Sequence, residues 1–222
     1  MVKVVMSQSV FLCLFLVMIA INGNESVWNK PRFCHKLECP PFSIRLDQAL
    51  PGIELRTYQS PLMVSSIKTG YRTYSAAVDA AFHDLFQYIN GKNSKEEKID
   101  MTAPVLTKVT KDAFVVSFFL PYRFQQNSIV VPSALDGSGI ALSRLDSKTF
   151  AVEVFSGYAS YVVNQIAYEK LIRKLDAAKV NHVKDEYFVA VYDSPMRFFQ
   201  RHNEIWVEVL DSMLNDSESS LK

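Results

Sequence analysis

Phe150-Ala151-Val152-Glu153-Val154-Phe155 reads as a strand, and after it Val163, Ala167, Leu171, Leu175 and Ala178 recur on one face of a helix, opposite Gln165, Glu169, Arg173 and Asp176. Tyr187-Phe188-Val189-Ala190-Val191-Tyr192 and Ile205-Trp206-Val207-Glu208-Val209 follow as two more strands. The same order stands earlier in the chain. Ile53-Glu54-Leu55-Arg56-Thr57-Tyr58 alternates in period two, and Leu62-Met63-Val64-Ser65-Ser66-Ile67 follows across a turn at Ser60-Pro61. Tyr74, Val78, Ala81, Leu85 and Tyr88 then mark a helix, with Phe82, Phe86 and Ile89 widening its stripe and Asn90-Gly91 ending it. Strands at Met101–Thr107 and Phe114–Leu120 complete this half. Two halves that each read strand, helix, strand, strand predict one α+β domain in which antiparallel strands merge into a sheet or barrel with two amphipathic helices outside.

Outward from these repeats the pattern weakens. Gly91–Lys98 is polar enough for an exposed loop, Pro104 suggests an edge strand or a bulge, and the near-continuous Phe114–Leu120 suggests burial on both faces. Residues 125–147 are rich in turn formers, with one short strand near Ile140-Ala141-Leu142. Residues 24–50 hold Pro31, Pro40, Pro41 and two cysteines without regular periodicity, so they are expected to wrap the surface of the body. The Ser- and acid-rich residues 212–222 are expected to be a disordered tail.

The apolar run Val10–Ile21 follows Lys3 and is too short to cross about 30 Å of hydrocarbon as a helix, yet it fits a signal-peptide core. Residues 1–23 are therefore expected to be a cleaved secretory signal, followed by a Cys-containing segment to residue 50 and a domain over 51–211. No other segment approaches membrane-spanning length. The 222 residues carry 24 Lys and Arg against 23 Asp and Glu, and loss of Lys3 with the signal leaves a neutral protein. Such a balance argues against nucleic acid as a partner. With Cys13 removed, Cys34 and Cys39 remain as an even pair, expected to form a small disulfide loop in an oxidising compartment. Asn24-Glu25-Ser26 and Asn215-Asp216-Ser217 are glycosylation sequons, usable at Asn24 and Asn215 in a secreted or endomembrane protein.

No serine-nucleophile elbow, zinc-protease pair or glycine-rich phosphate loop occurs, and after processing no cysteine is expected to be free, so the sequence points away from an enzyme. His35, His83, His182 and His202 are scattered and read as solvated or structural. Two features suggest a binding surface instead. The first helix is rich in aromatic residues for a single packing stripe. The link between the last two strands, Asp193–Asn203, holds Met196, Phe198 and Phe199 among turn formers and cations. Apolar residues in such a loop either tuck into the body or line a slot for a ligand, whose acidic groups Arg197 and Arg201 would meet.

Gly52–Tyr58, Phe86-Gln87-Tyr88-Ile89-Asn90-Gly91-Lys92-Asn93, Met101-Thr102-Ala103-Pro104-Val105 and Asn203-Glu204-Ile205-Trp206 together resemble the SOUL haem-binding protein family over about residues 50–210, and the Cys34–Cys39 spacing is similar to that of signal-bearing plant members. The resemblance implies a distorted antiparallel β-barrel of two pseudo-repeats flanked by two α-helices. It also implies reversible, non-covalent binding of haem or related porphyrins, as carrier, buffer or sensor, by what is expected to be a monomer. The family's groove runs between the first helix and the loop joining the last two strands, which carries over to Val78 and Phe82 and to Met196, Arg197, Phe198 and Phe199. A His that another subgroup carries in the first strand is Thr57 here, so binding is expected without an axial His and to extend to metal-free porphyrins. A porphyrin of roughly 43 heavy atoms has a non-covalent ceiling near 13 kcal/mol, and micromolar affinity needs about 8. The competing expectation is a small-molecule sensor or protein-interaction module on the same fold, with haem incidental.

Overall fold

The computed structural model describes residues 29–45, 52–126 and 129–210. The expected signal (1–23), both sequons and the tail (212–222) lie outside these residues. Within them the elements run β1 (Phe42–Arg45), β2 (Glu54–Tyr58), β3 (Leu62–Thr69), α1 (Tyr74–Ile89), β4 (Val105–Val109), β5 (Ala113–Phe119), the single-turn α2 (Tyr122–Gln125), β6 (Ile140–Arg144), β7 (Lys148–Phe155), α3 (Tyr161–Ala177), β8 (Tyr187–Val191) and β9 (Asn203–Glu208).

The strands form one curled antiparallel sheet in the order β1-β2-β7-β9-β8-β4-β5-β3-β6, the distorted half-barrel of an α+β fold. Each half contributes two strands, a long helix and two strands. Setting β1 aside and exchanging each strand of β2–β5 for its counterpart in β6–β9 gives the same order read backwards. The sheet thus has an approximate two-fold axis between β4 and β8. β2 and β3 are joined at Gln59–Pro61 yet do not pair. β2 lies between β1 and β7, whereas β3 lies between β5 and β6, so each half lends a strand to the other.

Period-two alternation divides the core. Leu55, Ala151, Val189, Ile205 and Val207 face α3, which presents Ala167, Leu171 and Leu175. Val64, Val116 and Phe118 face α1, which presents Ala81, Leu85, Tyr88 and Ile89. Tyr58, Leu106, Phe150, Val152 and Trp206 point to the other side of the sheet, beneath the N-terminal segment. The helices start where side-chain hydroxyls accept unpaired backbone N–H groups: Thr73 from Ala76 N at 3.3 Å for α1, and Ser160 from Val163 N at 3.4 Å for α3. α1 ends at Asn90, and Gly91 takes φ +105° with its α-carbon close against the Glu96 carbonyl, where a side chain would sit 3.3 Å away.

Two expectations need correction. Residues 32–45 do more than wrap the surface. A 3₁₀ turn at Arg32–Cys34, a bridge from Glu38 to Thr102 and β1 pairing Phe42 with Tyr58 build the segment into the sheet. Its disulfide joins Cys34 to Cys39, both buried in the core beside Tyr58 and Trp206. Pro104 marks neither an edge nor a bulge: β4 begins after it, at Val105, and is an interior strand between β5 and β8. Residues 101–104 instead tie down by side chain and backbone, Thr102 Oγ1 donating to Phe119 O at 2.6 Å and Ala103 N donating to Glu38 O at 2.9 Å. The polar loop after Gly91 is fastened by buried Asn93, whose Nδ2 donates to Tyr88 O and Glu97 O while Oδ1 accepts from Lys95 N and Glu97 N.

Candidate functional site

A cleft of about 870 Å³ opens over the two-fold axis, in the size range of small-molecule sites. Val105 and Thr107 of β4, Phe114 of β5 and Val191 of β8 form its floor. α1 supplies one wall through Tyr74, Val78 and Phe82, which stand four residues apart and so share a face. The start of α3 supplies the other through Tyr158, Ala159, Ser160 and Tyr161, and Arg72, Asp79, Asp193, Pro195 and Arg201 are placed around it. The α1 stripe read from sequence therefore divides. Ala77, Ala81, Leu85, Tyr88 and Ile89 are buried, Val78 and Phe82 are half-buried on the cleft flank, and Phe86 is exposed. Phe82 is braced edge-on by Phe118 at 5.2 Å, and Tyr74 edge-on by Phe114 at 5.6 Å. Burial pushes the Tyr74 phenol up to about 12, so it remains protonated at neutral pH.

The loop joining β8 to β9 is held by two buried ionisable side chains. Arg201 donates Nε to Gly157 O, Nη1 to Ser194 O and Arg197 O, and Nη2 to Asp193 O, while its guanidinium lies 4.6 Å from the Tyr158 ring centroid. Its donors are thus engaged by carbonyls of the fold. The Asp193 carboxylate accepts from His202 N at 2.6 Å and lies 3.2 Å from Arg197 Nε and 2.8 Å from Nε2 of His35, inside the disulfide loop. With the backbone fixed in this way, Met196, Phe198 and Phe199 stand 79%, 68% and 84% exposed beside the cleft. Of the residues read from sequence, Val78 and Phe82 line it. Pro195 and Arg201 do so from the loop, while Met196, Arg197, Phe198 and Phe199 lie outside the lining.

Arg72, which the sequence reading passed over, is exposed at the cleft and forms no ion pair among the described residues. It directly precedes the Thr73 cap, so the positive end of the α1 dipole adds to its charge. Asn164 and Asn203 hold the turn before α3, their Nδ2 atoms donating to Ala159 O and Gly157 O. These two bonds, from fully buried side chains, fix the wall carrying Tyr158 and Ala159.

None of the four histidines lines the cleft. His83 pairs with Gln87 on the exposed face of α1, and His182 is buried against Val180 O. His202 stacks on Phe33 at 4.1 Å and bonds Glu204, two residues on and on the same face of the chain. Glu204 is the centre of a second polar cluster, under the N-terminal segment. Its Oε2 accepts from Arg56 Nη1, Tyr192 Oη and Trp206 Nε1, each at 2.8 Å, and its Oε1 faces His202 Nε2 at 2.6 Å. Burial alone would push this carboxyl up. The His202 hydrogen bond and the Arg56 charge outweigh it, and the group is held below the ordinary carboxylate range. Among the described residues no three His, Cys, Asp or Glu side chains converge in a way that would hold a metal ion.

Comparison with known proteins adds an independent line. The profile of the SOUL heme-binding protein family matches residues 37–208. Heme-binding protein 2 of Homo sapiens is 31% identical over 168 residues, covering 71% of this chain and 78% of that protein. Heme-binding protein 1 of Xenopus tropicalis is 25% identical over 162 residues, covering 70% and 82% respectively. Among solved structures, the EcmrR C-terminal domain superposes with a TM-score of 0.53 at 10% identity, over 76% of this chain and 98% of that one, a likeness of fold alone.

Proposed function

Because this chain belongs to the SOUL heme-binding protein family, we propose that the cleft between α1 and the start of α3 reversibly binds haem or a related tetrapyrrole, without a covalent bond and without an axial histidine. The observation that carries this reading is the cleft itself: about 870 Å³, with Val78, Phe82, Val105, Phe114 and Val191 presenting apolar surface and no histidine in the lining. The flat macrocycle lies against these side chains, which exclude water from its faces. Its carboxylates turn to the mouth, where Arg72 forms no ion pair among the described residues, and Arg197 approaches from the loop. Met196, Phe198 and Phe199 offer an apolar lip over the pigment edge that the walls leave exposed. Holding without a bond to iron suits a carrier, buffer or sensor, and the family is named for binding rather than for a reaction. The Val10–Ile21 run, the two sequons and the Cys34–Cys39 disulfide support a place in the secretory pathway.

Titration of the protein with haemin, followed in the Soret band, tests the assignment. Saturable binding at micromolar concentration is expected. Binding that survives Val78→Glu and Phe82→Glu together, in a variant with unchanged thermal midpoint, would move the site elsewhere.

A further inference from the structure

Beyond the cleft, a smaller cavity of about 360 Å³ lies along the same strand, and one residue, Tyr161, lines both. The floor is continuous: Val105 and Thr107 of β4 lie under the cleft, and Val109, two residues on and therefore on the same face, lies under the smaller cavity. The two spaces differ in chemistry. The cleft floor is mainly apolar, whereas the smaller cavity is walled by Gln165, Tyr168 and Tyr187, with Lys111 and Asp185 exposed at its margin. The Tyr187 hydroxyl already donates to Gln165 Oε1 at 2.7 Å, and Lys111 forms no ion pair among the described residues. Tyr161 itself is weakly held. It is 49% exposed, its hydroxyl accepts a single long hydrogen bond of 3.5 Å from Gln165 Nε2, and the nearest aromatic ring centroid, of Tyr74, is 6.1 Å away.

We propose that the two cavities are chambers of one trough, that the Tyr161 ring is a movable partition between them, and that the inner chamber receives a carboxylate-bearing arm of a ligand whose flat apolar body stays in the cleft. The inference rests on the tetrapyrrole reading above and assigns Tyr161 and Lys111 to specificity. Protoporphyrin IX carries its two propionates on adjacent rings, so both reach the mouth at Arg72 while the apolar edge points inward. Coproporphyrin III carries a propionate on every ring, so in the same pose at least one points toward Tyr161. With the partition closed that arm meets a ring. With it open the arm reaches Lys111, opposed by the Asp185 carboxylate on the same margin.

The test is titration of the wild type, Tyr161→Ala, and Tyr161→Ala with Lys111→Ala, each with protoporphyrin IX and with coproporphyrin III. Tyr161→Ala is expected to shift the ratio of the two affinities about tenfold in favour of coproporphyrin III, any loss from the shared cleft wall falling on both porphyrins alike, and adding Lys111→Ala is expected to remove most of that gain. Equal shifts for both porphyrins, no shift for either, or a gain that persists without Lys111 overturns the two-chamber inference alone. No saturable binding of protoporphyrin IX to the wild type overturns the tetrapyrrole reading and this inference with it.

Discussion

Val78 and Met196 are both apolar, both were legible from the sequence, and the structure gives them different surroundings. Val78 is half-buried in the cleft wall, whereas Met196 is 79% exposed on the loop beside it. Val78→Glu places a carboxylate against the pigment face and is expected to lower affinity at least tenfold. Met196→Glu alters only the lip and is expected to cost less than threefold. Soret titrations of the two variants, with thermal midpoints as the folding control, decide this; equal losses would mean the loop closes fully over the ligand. Arg72→Ala is expected to weaken dicarboxylate porphyrins by up to about fivefold, the scale of an exposed ion pair, and to leave their dimethyl esters unaffected. Periodicity found Val78 and Phe82 because helix faces are written into spacing. It could not find Arg72, a lone cation before a cap, nor foresee that Arg201 would bond four backbone carbonyls, since a loop that folds back on its own cation and on Gly157 has no periodicity to read.

At the scale of elements, the recognisable motifs prove to be framework. Arg56 and Tyr58 of β2 share a face, as do Glu204 and Trp206 of β9, and Glu204 bonds both Arg56 and Trp206 while the Tyr58 and Trp206 rings stack at 4.8 Å. Removing the carboxylate leaves Arg56 buried without its innermost partner, so Glu204→Ala is expected to cost about 3–5 kcal/mol in urea unfolding. The N-terminal segment was hard to read because β1 has four residues and its Ile44 faces solvent. Its grip on the sheet comes from the short β1–β2 pairing, the Glu38–Thr102 bridge and His35 meeting Asp193, on a turn that the disulfide closes. Opening that short loop with Cys34→Ser and Cys39→Ser is expected to cost about 2 kcal/mol by loop-closure entropy. Because His35 contacts the carboxylate that fixes the β8–β9 loop, the same variant is expected to bind pigment more weakly; unchanged affinity would show that the clamp has no bearing on the cleft.

In the whole molecule the duplicated halves explain where the cleft lies. Both long helices begin beside the two-fold axis, so their first turns and the central strands β4 and β8 enclose one space. The repeat was visible in the order of elements, but the exchange of β2 and β6 between halves was not, since pairing over such separations leaves no local pattern. Stability should follow the buried charges. Glu204 and Glu153 have carboxyls held below the ordinary value against the burial that would raise them, the latter by the Lys170 and Lys174 ammonium groups. Their contribution is present above the unfolded carboxylate pKa, near ~4.3, and is lost as pH falls through the folded values. The Tyr74 and Tyr88 phenols, pushed by burial up to about 12, set the opposite limit: their contribution is complete below about pH 10 and is lost as pH rises toward 12. Urea midpoints measured from pH 3 to 11 are expected to be level between about 5 and 9.5 and to fall on both sides.

A pigment held by apolar walls owes little to its iron. Parallel titrations of the intact protein with haemin and with metal-free protoporphyrin IX test this most directly: saturable binding of both, with dissociation constants within about fivefold, is predicted, whereas tight binding of haemin with none of protoporphyrin IX would contradict the account.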